Sequence, residues 1–249
     1  MVMINFNGYD LSNDIRVTDV KRPVLPPSVL TTSSIVGRSG AFLFYKQFGD
    51  YTIPVSFMLI KNSLSELRQS VRDLAAKLDT NEPAKLIFED EPDKYINAIV
   101  SDDSTLSETA AIGSGTINFY CPDPYWYAIT DDVFDYWSTG TKTFTRKGTA
   151  ESNPLIEILG TSSNGSLTLS NGTSTMTFTG QLNNGETLVL DSDLLTAYIL
   201  KTDGTKVAVL DKLDNLDFLV LSPDSNTITI SSSNFTLVKL TVNCRSRWK

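Results

Sequence analysis

From about Leu155 to its C-terminus the chain is a succession of short apolar segments. LIEIL, SLTLS, TMTFT, TLVL, TAYIL, KVAVL, DFLVL, TITI and FTLVKLTV follow one another with no helical stripe among them. Between many of them stand turn pairs: Asn164-Gly165, Asn171-Gly172, Asn184-Gly185 and Asp203-Gly204. Such pairs supply the positive φ angles that tight hairpins require. Short antiparallel strands without a covering helix can bury apolar side chains only against one another, so this half is expected to form a β-sandwich.

The first half reads as α+β. Val2, Ile4 and Phe6 alternate with other residues ahead of a turn at Gly8, and Val17 continues an extended stretch. The proline-rich KRPVLPPS (Lys21 to Ser28) is a stiff, non-helical connection. Gly37 and Gly40 bracket a turn, after which Phe42, Phe44 and Phe48 belong to one arm of a hairpin. Ile53, Val55, Phe57 and Leu59 alternate as the next strand, and Pro54 places its start at a sheet edge. One helix follows. Ser63 and Glu66 form a capping box, and Leu64, Leu67, Val71, Leu74, Ala75 and Leu78 fall on one stripe. LIF (Leu86 to Phe88), YINAIV (Tyr95 to Val100) and GTINFYC (Gly115 to Cys121) read as further strands. The polar, glycine-bearing stretch after Trp137 marks the boundary, giving domains 1–138 and 139–249. The fold class is therefore mainly β: an α+β domain with one main helix, then a β-sandwich.

The densest stretch is FYCPDPYWY, Phe119 to Tyr127. Phe119 and Cys121 are the last inward residues of a strand. Pro122 and Pro124 end the ladder because neither can donate a hydrogen bond. Tyr125, Trp126 and Tyr127 then pack back onto the domain rim.

Several chemistries are disfavoured. The chain contains no histidine, which removes the commonest general base and the commonest metal ligand. Its net charge of −8 lacks the basic footprint of a nucleic-acid reader, with only Arg245, Arg247 and Lys249 clustered at the end. Cys121 and Cys244 read as small buried thiols, each on an apolar face (Ile117, Phe119, Cys121; Val238, Leu240, Val242, Cys244). The acidic run Glu89, Asp90, Glu91, Asp93 is interrupted by Pro92 and lacks the glycine of a calcium loop, so it reads as a solvated turn. Asp191/Asp193 and Asp211/Asp214/Asp217 read the same way. Gly37-x-x-Gly40 lacks the residues of a phosphate loop. Apolar runs are too short to cross a membrane, and neither a signal peptide nor a membrane span is expected. Tyr125, Trp126, Tyr127, Tyr136 and Trp137 offer material for sugar stacking, whereas Phe178, Tyr198, Phe218 and Phe235 sit inside strands and read as core.

The sequence resembles the distal tail proteins of bacteriophages with long, non-contractile tails. The resemblance is carried by FNGYDLS (Phe6 to Ser12), the GRSG turn, LIFEDEPDKYINAIV (Leu86 to Val100) and the FYCPDPYWY run that ends the first domain. In the second half it is carried by NPLIEILG (Asn153 to Gly160), LSPDSNTITI (Leu221 to Ile230) and RSRW (Arg245 to Trp248). One departure is Asp224, where a glycine is often expected after Pro223.

The resemblance implies a structural virion protein at the distal tail tip, assembled in the host bacterial cytoplasm. It implies a homo-hexameric ring built from first domains, joining the tail tube to a tail-tip spike or tail-associated lysin. Receptor-binding or baseplate proteins are further neighbours. DNA passes through the lumen without specific binding. Galectin-like or carbohydrate-module-like sandwiches surround the ring. No catalytic residue, metal, cofactor or membrane insertion is implied. The hairpin arm AFLFYKQF (Ala41 to Phe48) carries more aromatic surface than a short arm should expose. Phe42, Phe44, Tyr45 and Phe48 are thus oligomer-interface candidates. The competing expectation places Phe42 and Phe44 in the subunit's own core. The alternative function is a carbohydrate-binding module that contacts the host wall. Exposed aromatic platforms would favour it, and buried aromatics the hub.

Overall fold

The computed structural model describes residues 3–101 and 106–249. The described chain is mainly β and forms two compact units that divide between Ile129 and Thr130.

The first unit contains β1 (Ile4–Phe6), β2 (Tyr9–Asp10), β3 (Arg16–Val20), β4 (Ser28–Ser33), β5 (Phe42–Phe48), β6 (Tyr51–Ile60), α1 (Leu64–Leu78), β7 (Ala84–Phe88), β8 (Lys94–Ser101), β9 (Leu106–Thr109), β10 (Ile112–Cys121) and β11 (Trp126–Ala128). The strands pair in the order β2-β1-β7-β8-β10-β6-β3, with β9 also on β10 and β11 also on β8. β4 and β5 pair only with each other.

The alternation in β6 is obeyed throughout. Tyr51, Ile53, Val55, Phe57 and Leu59 are buried, and the residues between them face outward. β6 is not an edge strand, however, since β10 and β3 flank it. Pro54 is tolerated because its carbonyl accepts from Lys21 N–H at 3.2 Å, just past the end of β3. In an antiparallel strand a residue's N–H and C=O point the same way. The missing donor therefore faces the place where β3 runs out.

Ser63 Oγ caps α1 by accepting from Glu66 N–H at 3.2 Å, while Glu66 Oε2 accepts from Asn62 N–H at 3.2 Å. Leu67, Leu74 and Leu78 are buried against the sheet, but Leu64 and Ala75 are exposed. The contacting stripe is narrower than the sequence implies because a single sheet face receives it. The core joins these leucines to Phe6, Phe88, Ile96, Ile117, Phe119 and the β6 residues.

The second unit contains β12 (Val133–Tyr136), β13 (Gly140–Arg146), β14 (Leu155–Ser170), β15 (Thr175–Leu182), β16 (Thr187–Asp191), β17 (Thr196–Leu200), β18 (Lys206–Ala208) and β19 (Asp224–Asn243). β12 explains why the division precedes the expected boundary at 138/139. It pairs with β19 from Val133↔Asn243 to Tyr136↔Leu240, and Phe134 and Tyr136 pack on the second core.

Two long strands make the sandwich. LIEIL and SLTLS are one strand, β14, and TITI and FTLVKLTV are another, β19. The first part of β14 pairs with β16, its last part with β15, and both parts with β19. Register shifts at Leu159/Gly160 and Ser162/Ser166 bend the pair between the two layers. At Gly165 an added Cβ would lie 2.2 Å from Asn234 O, so only glycine permits this crossing. Asn164-Gly165 is thus an interior bulge rather than a turn, whereas Gly172, Gly185 and Gly204 take positive φ in the connections. Val238 has no cross-strand partner in β19 and is 53% exposed, although Leu240, Val242 and Cys244 beyond it are fully buried. DFLVL is not a strand. It buries Phe218, Leu219 and Leu221 as irregular chain, held by a bridge between Ser152 and Leu221.

Candidate functional site

The arm formed by β4 and β5 is the feature of the first unit least accounted for by its own packing. The connection of Gly49 N–H to Pro27 O (2.8 Å) closes its base, and Gly37 (φ +84°) and Gly40 (φ +88°) lie in the turn region between its strands. Phe48 anchors it by an edge-on contact with Tyr125, ring centroids 6.3 Å apart. Beyond that base its side chains are uncovered. Leu43, Phe44 and Tyr45 are 59%, 69% and 55% exposed. Thr31 pairs with Tyr45 and Thr32 with Leu43, which leaves Phe44 as the extra residue of a bulge. Arg38 lies 4.0 Å from the Phe42 ring centroid, and Lys46 lies 5.2 Å from that of Phe48. Phe42, Phe44, Tyr45 and Phe48 are thus brought together on one arm. None of them belongs to the core of the unit.

The FYCPDPYWY stretch folds back as the strand-ending prolines require. Asp123 accepts from Tyr125 N–H at 3.1 Å and from the Tyr127 hydroxyl at 2.5 Å. Trp126 packs on Phe88 (5.9 Å) and Tyr127 stacks on Tyr95 (5.8 Å, 28°). These rings fasten the end of the unit and are half-buried. Trp137 differs: it is 68% exposed, and it follows β12 and so belongs to the second unit. Phe178, Phe218 and Phe235 are core, while Tyr198 is half-buried beneath Lys206, 4.7 Å from its centroid.

The charged clusters are largely paired. Arg22 bonds Asp90, holding its carboxyl below the usual range, and approaches Glu91 at 3.6 Å; Lys94 bonds Glu91 at 2.9 Å. Asp191 is not the solvated turn residue its sequence context suggests. It is 6% exposed and receives Arg245 through two parallel bonds of 2.7 and 2.8 Å. Burial works to raise its pKa, but Arg245 and the N–H groups of Leu194 and Asp193 overcome this and leave it lowered. Arg247 Nε bonds Glu151 O. Arg245 and Arg247 are therefore both engaged within the second unit.

Arg146, overlooked in the sequence because it sits in a polar stretch, is 2% exposed. Its guanidinium donates to four backbone carbonyls, of Lys147, Ala150, Leu221 and Ser222, at 2.5–3.1 Å. It ties the connection after β13 to the irregular segment before β19. Cys121 and Cys244 are free and fully buried, and burial pushes both thiols up to about 12. Among the described residues, no three histidine, cysteine or acidic side chains stand together as metal ligands. No helix among them is long and apolar enough to cross a membrane.

The two units are those of a two-part phage tail component. Residues 11–121 match the phage tail protein RIFT-related domain, and residues 147–248 match the C-terminal domain of the siphovirus-type tail component. The chain belongs to this family of siphophage distal tail, or hub, proteins. Its fold over the full length of both chains is that of the Dit protein of phage SPP1, described as a paradigm of the hub adsorption apparatus in phages infecting Gram-positive bacteria (17% identity, TM-score 0.82). Chains in two structures of the activated phage P2 baseplate, with calcium and with strontium, are more distant. Each is 12% identical. The first has a TM-score of 0.52 over 100% of this chain and 98% of that one, the second 0.51 over 97% and 96%. No curated protein sequence gives a significant match.

Proposed function

We propose that this tail hub protein forms a closed hexameric ring at the distal end of a long, non-contractile tail, with the first units making the ring. One side of the ring meets the tail tube and the other a spike or tail-associated lysin, and DNA leaves through the lumen. The second units surround the ring as galectin-like sandwiches, within reach of receptor-binding or baseplate proteins. The role is that of a scaffold, without catalysis or cofactor. The observation that carries this reading is the uncovered arm. An apolar bulge residue 69% exposed, on a two-stranded arm that pairs with no other strand of the unit, calls for a neighbour. A ring supplies one for every copy. Gold-labelled antibody against the second unit should decorate the distal tip of intact virions. Label along the tube or at the head would contradict the proposal.

A second reading, a carbohydrate-binding module that contacts the host wall, is favoured by one observation, the exposed Trp137 of the second unit. It predicts glycan-array binding that disappears in Trp137→Ala with the fold intact. A blank array would remove it.

A further inference from the structure

We propose that the outward face of the layer formed by β13, β19, β14 and β15, together with the cleft at its end, binds a neutral, hydroxyl-rich polysaccharide. Along these strands one set of side chains enters the second core and the alternate set faces out. The outward set comprises the odd positions from 141 to 145 on β13 and from 225 to 233 on β19, the even positions from 166 to 170 on β14, and the odd positions from 175 to 179 on β15. Every one is serine or threonine, and every one is exposed or half-buried. Asp, Glu, Lys and Arg make up 20% of the chain and prefer the surface, so about three would fall on a face of this size by composition alone. Threonine suits a strand, but that preference does not account for Ser166, Ser170, Ser225, Ser231 and Ser233. Pairing brings the hydroxyls into rows. Thr141, Thr229, Ser170 and Thr175 form one row across all four strands. Within it Thr141 meets Thr229 at 3.2 Å and Ser170 meets Thr175 at 2.8 Å, and in the next row Thr168 meets Thr177 at 2.9 Å.

The face continues into a cleft of about 360 Å³. Gln181, two residues beyond Thr179 on the same side of β15, lines this cleft with Thr161, Ser163, Asn183 and Asn234. Leu182 is its one apolar lining residue, and none is charged or aromatic. A buried carboxylate braces it. Glu186, 9% exposed, accepts from Asn183 N–H at 2.9 Å and from Asn183 Nδ2 at 3.1 Å, and Asn183 Oδ1 accepts from Gln181 Nε2 at 2.9 Å. This chain of bonds fixes both amides and leaves Gln181 Oε1 as an acceptor with no partner among the described residues. The chemistry narrows the ligand. An anion would call for cations, and neither face nor cleft has one. An apolar surface would strand the hydroxyls it covered, at a cost. The centre of a protein interface is enriched in aromatic, methionine and arginine side chains, which are missing from the face. A polyol offers a donor and acceptors at every hydroxyl, so it can replace the water that each serine and threonine gives up. Strands about 4.8 Å apart, with outward residues roughly 6.8 Å apart along each, make a track long enough for a polymer rather than a single sugar ring. The site shares its ligand class with the carbohydrate-module reading, but it does not use Trp137 and needs no ring.

The test is co-sedimentation of the full chain with insoluble neutral polysaccharides (cellulose, mannan and starch granules) and with insoluble polygalacturonate as the anionic control. Thr168→Val/Thr177→Val removes two linked hydroxyls at nearly constant volume, and Gln181→Ala removes the exposed amide of the cleft. The parent should sediment with at least one neutral polymer and not with polygalacturonate. Each variant should bind that polymer at least about tenfold more weakly, with an unchanged circular dichroism spectrum. Trp137→Ala should bind as the parent does. A parent that sediments with none of the neutral polymers overturns the proposal, and so does binding that both variants retain. Loss of binding in Trp137→Ala, with the other two variants binding normally, would also overturn it and assign the ligand to the aromatic reading instead. Equal binding to polygalacturonate would overturn the selection of a neutral ligand. If one variant loses its fold, the other decides.

Discussion

Replacing Phe44 by aspartate isolates what the arm contributes. A phenylalanine side chain buries about 150–250 Å² when fully covered. Phe44 is 69% exposed in the isolated chain, so a neighbour could remove roughly 100–170 Å² of it from water. At about 25 cal/mol per Å², covering that area contributes about 3 kcal/mol per subunit contact, or around a hundredfold in the contact's dissociation constant. Phe44→Asp forfeits this term and places a carboxylate where no partner is provided, which adds further cost. The fold of the chain should be untouched, since Phe44 is a bulge residue outside the core. Light scattering over a dilution series should then show the variant falling to monomers at concentrations where the parent remains assembled, with an unchanged circular dichroism spectrum. Phe44→Leu, which keeps most of the apolar area, should stay assembled. A Phe44→Asp protein that keeps the parental mass throughout the dilution would show that the arm is not at the interface. Loss of the fold would refute the placement of Phe44 outside the core.

Three more outcomes follow from the second unit. Arg146→Lys should destabilise it by about 3 kcal/mol, seen as a lower urea midpoint, because an ammonium cannot serve four carbonyls held in a planar fork; a loss below about 1 kcal/mol would refute this reading. Asp224 has φ +62°, so Asp224→Gly should be neutral or stabilising by up to about 1 kcal/mol, whereas Asp224→Val should lose stability. Arg245→Leu should lower the midpoint more at pH 7 than at pH 3. The depressed pKa of Asp191 means that its contribution is fully present above the unfolded value near ~3.9 and disappears as pH falls through the folded one. A penalty independent of pH would contradict the pairing.

What could be read from the sequence was local. β6 shows its buried face in strict alternation, α1 its cap and stripe, and FYCPDPYWY its stop, because each depends on neighbours within a few residues. The glycine absent after Pro223 is also explained locally, since Asp224 adopts the positive φ that glycine would take more easily. Long-range facts were hidden. β9 turns into β10 through Ala110 at φ +56°, with no glycine at that position to announce it. β12 sits beside the first unit in sequence but finds its partner more than a hundred residues later. The Asp191–Arg245 pair spans 54 positions, and neither residue carries a local sign of it. The arm was legible as a surplus of aromatics, but its exposure was not, because Phe42 and Phe44 in alternation fit a core strand equally well.

Native mass spectrometry of the full-length chain addresses the central claim most directly. Six copies of a 27.4 kDa chain predict a dominant species of roughly 164 kDa that survives dilution into the low micromolar range. A spectrum of 27.4 kDa monomers at every concentration, or a closed assembly with a different subunit number, would contradict it.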